Sequence, residues 1–186
     1  TMPNMPAWGG LNRKIGNNPL IMAVPRSNGE HAMIDCAVSQ FSYGKIEDCR
    51  LRGVQLPVPG GYDTKGELTT DPTEIEKTWR VLPMGYWKGS GMALALDMAA
   101  ALMANGMSGT DMDIQAKGSC TNCCQIFIAY DPYLFGSKEE IQAMLNKRVD
   151  AANAAHPEHE GGHVSCPGQR TISTREKSMK DGVSVD

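Results

Sequence analysis

The stretch that decides the fold is LPMGYWKGSGMALALDMAAALM, residues 82–103. After Gly89-Ser90-Gly91 it contains the most apolar run of the chain, in which Asp97 is the only charged residue. An apolar run of about 12 residues is long for a strand and too short to span a membrane. The run therefore predicts a buried helix. Asn105-Gly106 predicts its end, because glycine commonly follows the last residue of a helix.

The turn of small residues before this helix has two interpretations. Gly89-Ser90-Gly91 could leave backbone N–H groups free at the helix start, where a phosphate or carboxylate can bind with Lys88 beside it. Alternatively, the turn only leads into a core helix. Short glycine patterns are weak motifs, so the residues alone favour the second interpretation.

Composition and charge restrict the class of protein. The 186 residues are enough for one domain with a sizeable core, and 41% of them are hydrophobic. A net charge of −3 without a basic stripe argues against nucleic acid as the main partner. We expect no membrane span and no signal peptide. Six cysteines are too sparse for a disulfide scaffold, so we expect mostly reduced thiols and a cytoplasmic location.

Two short apolar segments predict a pair of strands. Residues 19–25 (PLIMAVP) and 31–38 (HAMIDCAV) are separated by RSNGE, whose Ser-Asn-Gly favours a hairpin turn with positive φ. The first is bounded by prolines and predicts a buried strand. Asp35 stands inside the second, where a carboxylate is rarely buried without partners. It could cap the next helix, or it could orient a histidine or a cofactor hydroxyl.

Capping residues and periodicity predict the other elements. Asp71-Pro72 predicts the start of a short helix, and Ser137 with Glu140 forms a capping box before an amphipathic helix over residues 138–155. The remaining predictions are a helix over residues 39–52 with Ser39 as N-cap, a helix over 172–180, loops over 56–69 and 108–124, and a strand over 125–130.

A group of cysteines raises the question of a metal site. Cys120-Thr-Asn-Cys123-Cys124 has CxxC spacing, but structural zinc needs four ligands. The other two would have to come from His156, His159, His163 or Cys166. No standard spacing supports that second half, so the favoured prediction is a thiol-containing loop without metal.

The usual nucleotide and nucleophile motifs are missing from the sequence. There is no P-loop and no Gly-x-Ser-x-Gly. The nearest approach to GxGxxG, at residues 89–94, lacks the third glycine and follows no apolar strand. A standard dinucleotide fold is therefore poorly supported.

Longer segments carry a resemblance that the short motifs do not. The sequence closely resembles the malate/L-lactate dehydrogenase family, whose dinucleotide-binding fold is not a Rossmann fold. The resemblance runs almost end to end through MPAWGG, IGNNPL, MIDCAVSQFSYGKIE, LPVPGGYDTKGELTTDP, LPMGYWKGSGMALALDM, QIFIAYDP and CPGQR. Several long segments in one order are far more specific than any single short motif, and they move the anion site to the favoured interpretation.

The resemblance implies a fold, an activity and a cofactor. The fold is a mixed α/β architecture with a largely antiparallel sheet and packed helices, here one cofactor-binding domain over residues 1–186. The activity is reduction of small 2-oxo acids with NADH, or alternatively NADPH. Asp35 matches an acidic residue that assists catalysis, and Lys88 and Arg170 would face cofactor phosphate or ribose. The implied cofactor-binding residues are His31, Ala32, Met33, Ile34, Asp35, Cys36, Ala37, Trp87, Lys88, Gly168, Gln169 and Arg170.

The chain departs from the family pattern at its N-terminal side. The family's catalytic histidine and a neighbouring substrate-binding arginine lie in an N-terminal segment that has no counterpart here, and His31 lies in a cofactor segment instead. We expect a homodimer, or a companion chain that supplies the missing segment. The competing hypothesis is a noncatalytic nucleotide- or metal-binding fragment.

Overall fold

The computed structural model describes residues 1–115 and 123–183. Contacts between them group into two compact units. The first unit comprises Thr1–Leu20 and Cys36–Phe127, and the second comprises Ile21–Asp35 and Ile128–Asp186. The single domain expected over residues 1–186 stays a prediction.

Short strands and helices alternate along the chain. In order they are β1 (Met5–Pro6), β2 (Arg13–Ile15), β3 (Leu20–Val24), β4 (Ala32–Cys36), α1 (Tyr43–Leu51), β5 (Gly61–Tyr62), β6 (Leu68–Thr69), α2 (Pro72–Thr78), α3 (Trp87–Ala104), α4 (Gly109–Gln115), a 3₁₀ helix (Pro132–Leu134), α5 (Lys138–Asn153) and α6 (Gln169–Asp181). The strands form two-stranded sheets, β1 with β2, β3 with β4, and β5 with β6. The pairs β1–β2 and β5–β6 are antiparallel.

The first unit is built around an apolar core. Helices α1 and α2 pack together through it, and an ion pair of 2.6 Å joins Arg50 Nε to Glu76 Oε2 across them. Burial of this apolar surface is the dominant favourable contribution to its folding. The buried residues of the core are Met5, Ile15, Val38, Ile46, Cys49, Leu56, Ile75, Val81 and Ala93.

Helix α3 ends where the sequence predicts and begins earlier. Asn105 follows its last residue in the left-handed conformation and donates its backbone N–H to Ala101 and Leu102 oxygens. At the other end the helix starts at Trp87, so Gly89-Ser90-Gly91 lies inside it. The backbone nitrogens of Lys88, Gly89 and Ser90 donate to the carbonyls of Gly85, Met84 and Tyr86. The predicted free N–H groups at this turn are therefore absent from the described chain, and that part of the anion-site prediction is wrong.

Helix α3 is also less buried than its composition predicts. Gly89, Ser90 and Ala93 are its buried residues, whereas Leu102 is 82% exposed. An almost wholly apolar sequence carries no periodic signal that separates the packed face from the open one.

Helix α1 begins three residues later than predicted. Ser42 is its N-cap and accepts a hydrogen bond from the Lys45 N–H, while Ser39 is buried and bridges to Pro83. Both serines are suitable caps, and the backbone pairing of residues 38–40 keeps the earlier one extended: Gln40 N–H donates to Leu82 O. The short helix α2 follows its prediction, with the Asp71 side chain accepting from Thr73 N–H.

Three predictions made for loop and strand segments need correction. The predicted strand over residues 125–130 has no strand conformation, because no partner strand lies beside it among the described residues. The loop predicted over 108–124 contains α4, and the loop predicted over 56–69 contains β5 and β6.

The second unit contains the β3–β4 pair and two helices. The turn between the strands has Gly29 at φ +81°, as the Ser-Asn-Gly sequence predicts. Strand β3 is largely exposed through Ile21 and Met22, so its predicted burial is wrong. The capping box of α5 is present, because Ser137 and Glu140 bond each other's side chain and backbone reciprocally. Helix α6 extends beyond the predicted residues 172–180 at both ends.

In the part of the chain that the structure describes, no helix has both the length and the apolar character that a membrane crossing requires.

Candidate functional site

Two of the three predicted cofactor segments meet in the second unit. The Met33 N–H donates to the Pro167 carbonyl at 3.1 Å, although 134 residues separate them. This hydrogen bond joins the start of β4 to the loop before α6. The pair of segments that the family resemblance singles out is therefore a structural unit in this chain.

Gly168 allows the backbone before α6 to lie close to the backbone of β4. It precedes α6 as its N-cap with φ +92°, where L side chains are strained. A Cβ atom at this position would overlap the His31 carbonyl oxygen and lie 3.1 Å from the Met33 nitrogen. Only glycine allows the two backbones to lie against each other here.

The start of α6 is ordered by its own residues. The Gln169 side-chain oxygen accepts the Cys166 N–H at 2.6 Å, and the Thr171 N–H donates to Gly168 O at 3.0 Å. The Arg170 side chain is exposed and has no ion-pair partner among the described residues. A cavity of about 300 Å³ lies at this position, lined by Ser165, Cys166, Pro167, Gly168, Arg170 and Thr171.

A second cavity shares Thr171 with the first and includes His31 in its lining. It has a volume of about 540 Å³ and is lined by Gly29, His31, Thr171, Ile172, Arg175, Glu176 and Met179. The exposed His31 ring accepts a hydrogen bond at Nδ1 from the Arg26 backbone N–H, at 3.1 Å. The site thus combines apolar surface with two cationic side chains, a hydrogen-bonding imidazole and a helix N-terminus, which together suit an anionic ligand with a flat apolar part.

The other residues of the first segment lie along β4. Met33, Ile34 and Asp35 are exposed, and Ala32, Cys36 and Ala37 are half-buried. The Cys36 thiol lies 3.7 Å from the Leu20 carbonyl oxygen. Asp35 does not cap α1, whose N-cap is Ser42. Its carboxylate has no hydrogen bond or ion pair within the described ranges, so it is available to a ligand or a catalytic group.

The third segment, Trp87-Lys88, belongs to the first unit. Both side chains are exposed at the start of α3, and the Lys88 ammonium lies 5.9 Å from the Trp87 ring centroid. Tyr86 beside them packs edge-to-face on Trp8, with ring centroids 5.1 Å apart. Trp8 is therefore a packing partner of Tyr86.

The residues that anchor the β3–β4 turn were not predicted from the sequence. Arg26 is buried beside Asn146 of α5, and Gln142 of the same helix is buried against Ser27. Met144 of the same helix is apolar yet exposed, so hydrophobicity alone does not identify the packed face. The spacing of two amides four residues apart is the signal available in the sequence, because such residues share one helix face.

The residues that the structure describes contain no group of three or more His, Cys, Asp or Glu side chains placed to hold a metal ion. Cys120 of the CxxC motif lies outside the described residues. His156, His159 and His163 are exposed in the segment between α5 and α6.

Comparison with known proteins identifies the family. The malate/L-lactate dehydrogenase pattern matches residues 1–186. The chain belongs to the malate/L-lactate dehydrogenase family. It is 41% identical to the 2,3-diketo-L-gulonate reductase of Klebsiella pneumoniae over 184 residues, and 40% identical to that of Escherichia coli K12 over 182 residues. Each alignment covers 98% of this chain and 54% of the relative.

Solved structures confirm the fold class. Sulfolactate dehydrogenase from Methanocaldococcus jannaschii superposes with a TM-score of 0.82 at 30% identity, covering 100% of this chain and 53% of that one. Malate dehydrogenase from Entamoeba histolytica superposes with a TM-score of 0.85 at 16% identity, covering 97% and 54%, and supports the fold alone. The predicted mixed α/β fold of this family is therefore confirmed. The chain spans about half the length of the relatives it matches.

Proposed function

We propose that the protein is a reductase of small 2-oxo acids that uses NADH, with NADPH as the alternative donor. We also propose 2,3-diketo-L-gulonate as its substrate. The support is membership of the malate/L-lactate dehydrogenase family and 41% identity to a 2,3-diketo-L-gulonate reductase. Homodimer formation and a cytoplasmic location belong to the same proposal, the first through the family resemblance and the second through the sparse cysteines.

The observation that carries the proposal is the contact between the two cofactor segments. Met33 and Pro167 are hydrogen-bonded, and Gly168 allows the backbones to touch beside two open cavities. The two cavities beside this contact are lined by Arg170 and Arg175 and by the start of α6, which suits the phosphate oxygens of a dinucleotide.

Each predicted residue then has a role that its chemistry permits. Arg170 would bind an anionic oxygen of the cofactor. Trp87 and Lys88 enter the proposal through the family resemblance alone, which implies that Lys88 faces cofactor phosphate or ribose. The bound dinucleotide supplies the hydride that reduces a ketone carbon to an alkoxide. An acid must then protonate that alkoxide, a step for which the resemblance indicates a histidine. Asp35, whose carboxylate is exposed, would assist by orienting that acid and stabilising its charge.

The direct test is NADH oxidation by the purified protein with 2,3-diketo-L-gulonate, compared with pyruvate and with no ketone. We expect turnover that depends on the diketo acid. NADH binding without turnover on any of these ketones would favour the competing hypothesis of a noncatalytic nucleotide-binding protein. Absence of both binding and turnover would refute the proposed function.

A glycine substitution tests whether the segment contact forms the cofactor site. Gly168→Ala should weaken NADH binding at least about tenfold, because its Cβ would separate the two segments at a local cost of about 1–3 kcal/mol. Gly161→Ala is the matched control, since Gly161 also has positive φ but open space around it. Equal NADH affinities of the two variants in a fluorescence titration would contradict this assignment.

A further inference from the structure

The turn that joins β3 to β4 is held by a buried arginine. Arg26 is 8% exposed, and its Nε and Nη2 donate to the Asn146 side-chain oxygen at 3.2 and 3.0 Å. Its Nη1 donates to the Glu30 carbonyl at 3.2 Å and lies 3.7 Å from the Glu30 carboxylate. A buried cation with this many partners fixes geometry, because breaking any partner leaves part of the charge unsatisfied.

A second amide on α5 holds the same turn. The Gln142 side-chain oxygen accepts the Ser27 N–H at 2.8 Å, and its NH₂ group donates to Tyr133 Oη at 3.0 Å and Pro25 O at 3.4 Å. Gln142 and Asn146 are four residues apart on one face of α5, so the helix is hydrogen-bonded to the β3–β4 turn at two points. Gln142 bonds the backbone of Pro25 and Ser27, the two neighbours of Arg26 in the chain, so the Arg26 backbone is correspondingly fixed.

This fixed backbone determines the proton position on His31. Arg26 donates its backbone N–H to His31 Nδ1 at 3.1 Å. A ring nitrogen that accepts a hydrogen bond carries no proton, so the neutral imidazole has its proton on Nε2. His31 is exposed and is one of the residues that line the 540 Å³ cavity, so its Nε2–H is the candidate donor to a ligand there.

The composition of that cavity suits one half of a dinucleotide. Gly29, Ile172 and Met179 supply apolar surface for a purine ring, and Gly29 leaves the Ile172 side chain accessible at the turn. Arg175 supplies positive charge and Glu176 an acceptor for a hydroxyl.

We propose that Arg26, Asn146 and Gln142 are positioning residues that hold His31 as the Nε2–H tautomer, and that this N–H donates to an oxygen of the cofactor's adenosine half. The acceptor is a ribose hydroxyl or a phosphate oxygen. The ligand in this inference rests on the proposed function, whereas the tautomer does not. A proton fixed on Nε2 also disfavours that nitrogen as a metal ligand, since metal-bound imidazole nitrogen must be unprotonated.

The sharpest test replaces His31 by two residues of different hydrogen-bonding capacity. Glutamine can accept the Arg26 N–H and donate into the cavity, whereas phenylalanine can do neither. We expect His31→Phe to weaken 5′-AMP and NADH binding about tenfold, and His31→Gln to stay within about threefold of the parent, as one neutral hydrogen bond predicts. His163→Phe, in an exposed loop, should bind like the parent. Equal affinities of the Gln and Phe variants would overturn the inference.

Adenosine distinguishes the two acceptor oxygens. If His31→Phe weakens adenosine and 5′-AMP equally, the acceptor is a ribose hydroxyl. If only 5′-AMP is weakened, the acceptor is phosphate. If neither is weakened, the proposed donor role is wrong.

The positioning role has a spectroscopic readout of its own. Nitrogen-15 NMR of the imidazole should report the Nε2–H tautomer in the parent and a mixture of tautomers in Asn146→Ala. Asn153→Ala, exposed on the same helix, should leave the tautomer unchanged. Circular dichroism establishes that each variant is folded. A parent that carries the Nδ1–H tautomer would overturn the inference whatever it binds. A parent that binds no nucleotide would refute the proposed function and its ligand, while NMR would still decide the tautomer.

Discussion

The two units of the chain differ in the chemistry of their buried residues. Nearly all of the buried apolar residues identified in the described chain belong to the first unit, and Val149 is the second unit's contribution to them. The second unit instead buries Arg26 and Gln142, which bond backbone and side-chain groups across its elements.

The difference suggests that apolar burial supplies most of the stability of this fold, whereas hydrogen bonds hold individual groups in place. Apolar burial is non-directional and tolerates small shifts, so it stabilises without fixing any one atom to a tenth of an ångström. Hydrogen bonds depend steeply on distance and angle. The candidate site lies in the second unit, where hydrogen bonds of buried Arg26 and Gln142 hold the β3–β4 turn, as a site that must place donors and acceptors requires.

The largest expected effect is in the first unit. Ile46 is fully buried on α1, so Ile46→Ala should lower the free energy of unfolding by about 3 kcal/mol through lost burial and a residual cavity. Leu51 is 71% exposed on the same helix, and Leu51→Ala should change it by less than about 0.5 kcal/mol. Urea unfolding followed by circular dichroism measures both. Similar losses in the two variants would mean that the apolar core does not dominate this unit.

A substitution in the second unit should cost less stability but should displace the residues of the candidate site. Gln142→Ala leaves the Ser27 N–H without its partner, which should cost about 2 kcal/mol. Met144→Ala on the exposed side of α5 is the control. Since Gln142 holds the turn that carries His31, the variant should also bind NADH more weakly in a fluorescence titration. Loss of stability with unchanged NADH affinity would show that Gln142 does not position the residues that bind NADH.

The smallest effect expected concerns the start of α5. Ser137→Ala removes the N-cap and should cost about 1 kcal/mol, whereas Ser137→Asp retains a capping oxygen and should cost much less. Thermal unfolding followed at the helix signal compares the two. An equal loss of stability in the two variants would show that Ser137 does not stabilise the helix through its side-chain oxygen.

The same cap gives a pH dependence of known sign. Hydrogen bonds from the Ser137 hydroxyl, and then from its backbone N–H, hold the pKa of the Glu140 carboxyl below its ordinary value. A carboxyl with a depressed folded-state pKa stabilises the fold above its unfolded pKa, and this contribution is lost as pH falls through the folded pKa. Unfolding measured across acid pH should therefore depend less on pH in Ser137→Ala. A steeper dependence in that variant would contradict this sign.

Local signals in the sequence predicted local structure well. The caps at Asp71 and Ser137, the left-handed Asn105 and the turn at Gly29 each depend on residues within a few positions of one another, and all are present. Ser39 failed as a cap because its backbone pairs with a distant segment.

The features that were not predicted from the sequence depend on contacts between residues far apart in the chain. Burial of Arg26 depends on Asn146, 120 positions away, and no periodic pattern encodes such a pairing. Residues 125–130 have strong strand composition but lack a partner strand among the described residues. The candidate site was predicted through family resemblance and not through periodicity. The structure brings together the segments at His31–Asp35 and Gly168–Arg170, while the roles of their side chains remain predictions.

The discontinuity of the second unit has a consequence for how the protein is made. Its hairpin of residues 21–35 is synthesised early, yet the partners of that hairpin, Gln142, Asn146 and Pro167, emerge from the ribosome more than a hundred residues later. Core contacts of the first unit, such as those between α1 and α2, are available much sooner. Closing a long loop costs entropy that local contacts avoid. The candidate site is thus assembled later in translation than the apolar core of the first unit, which has had time to fold by then.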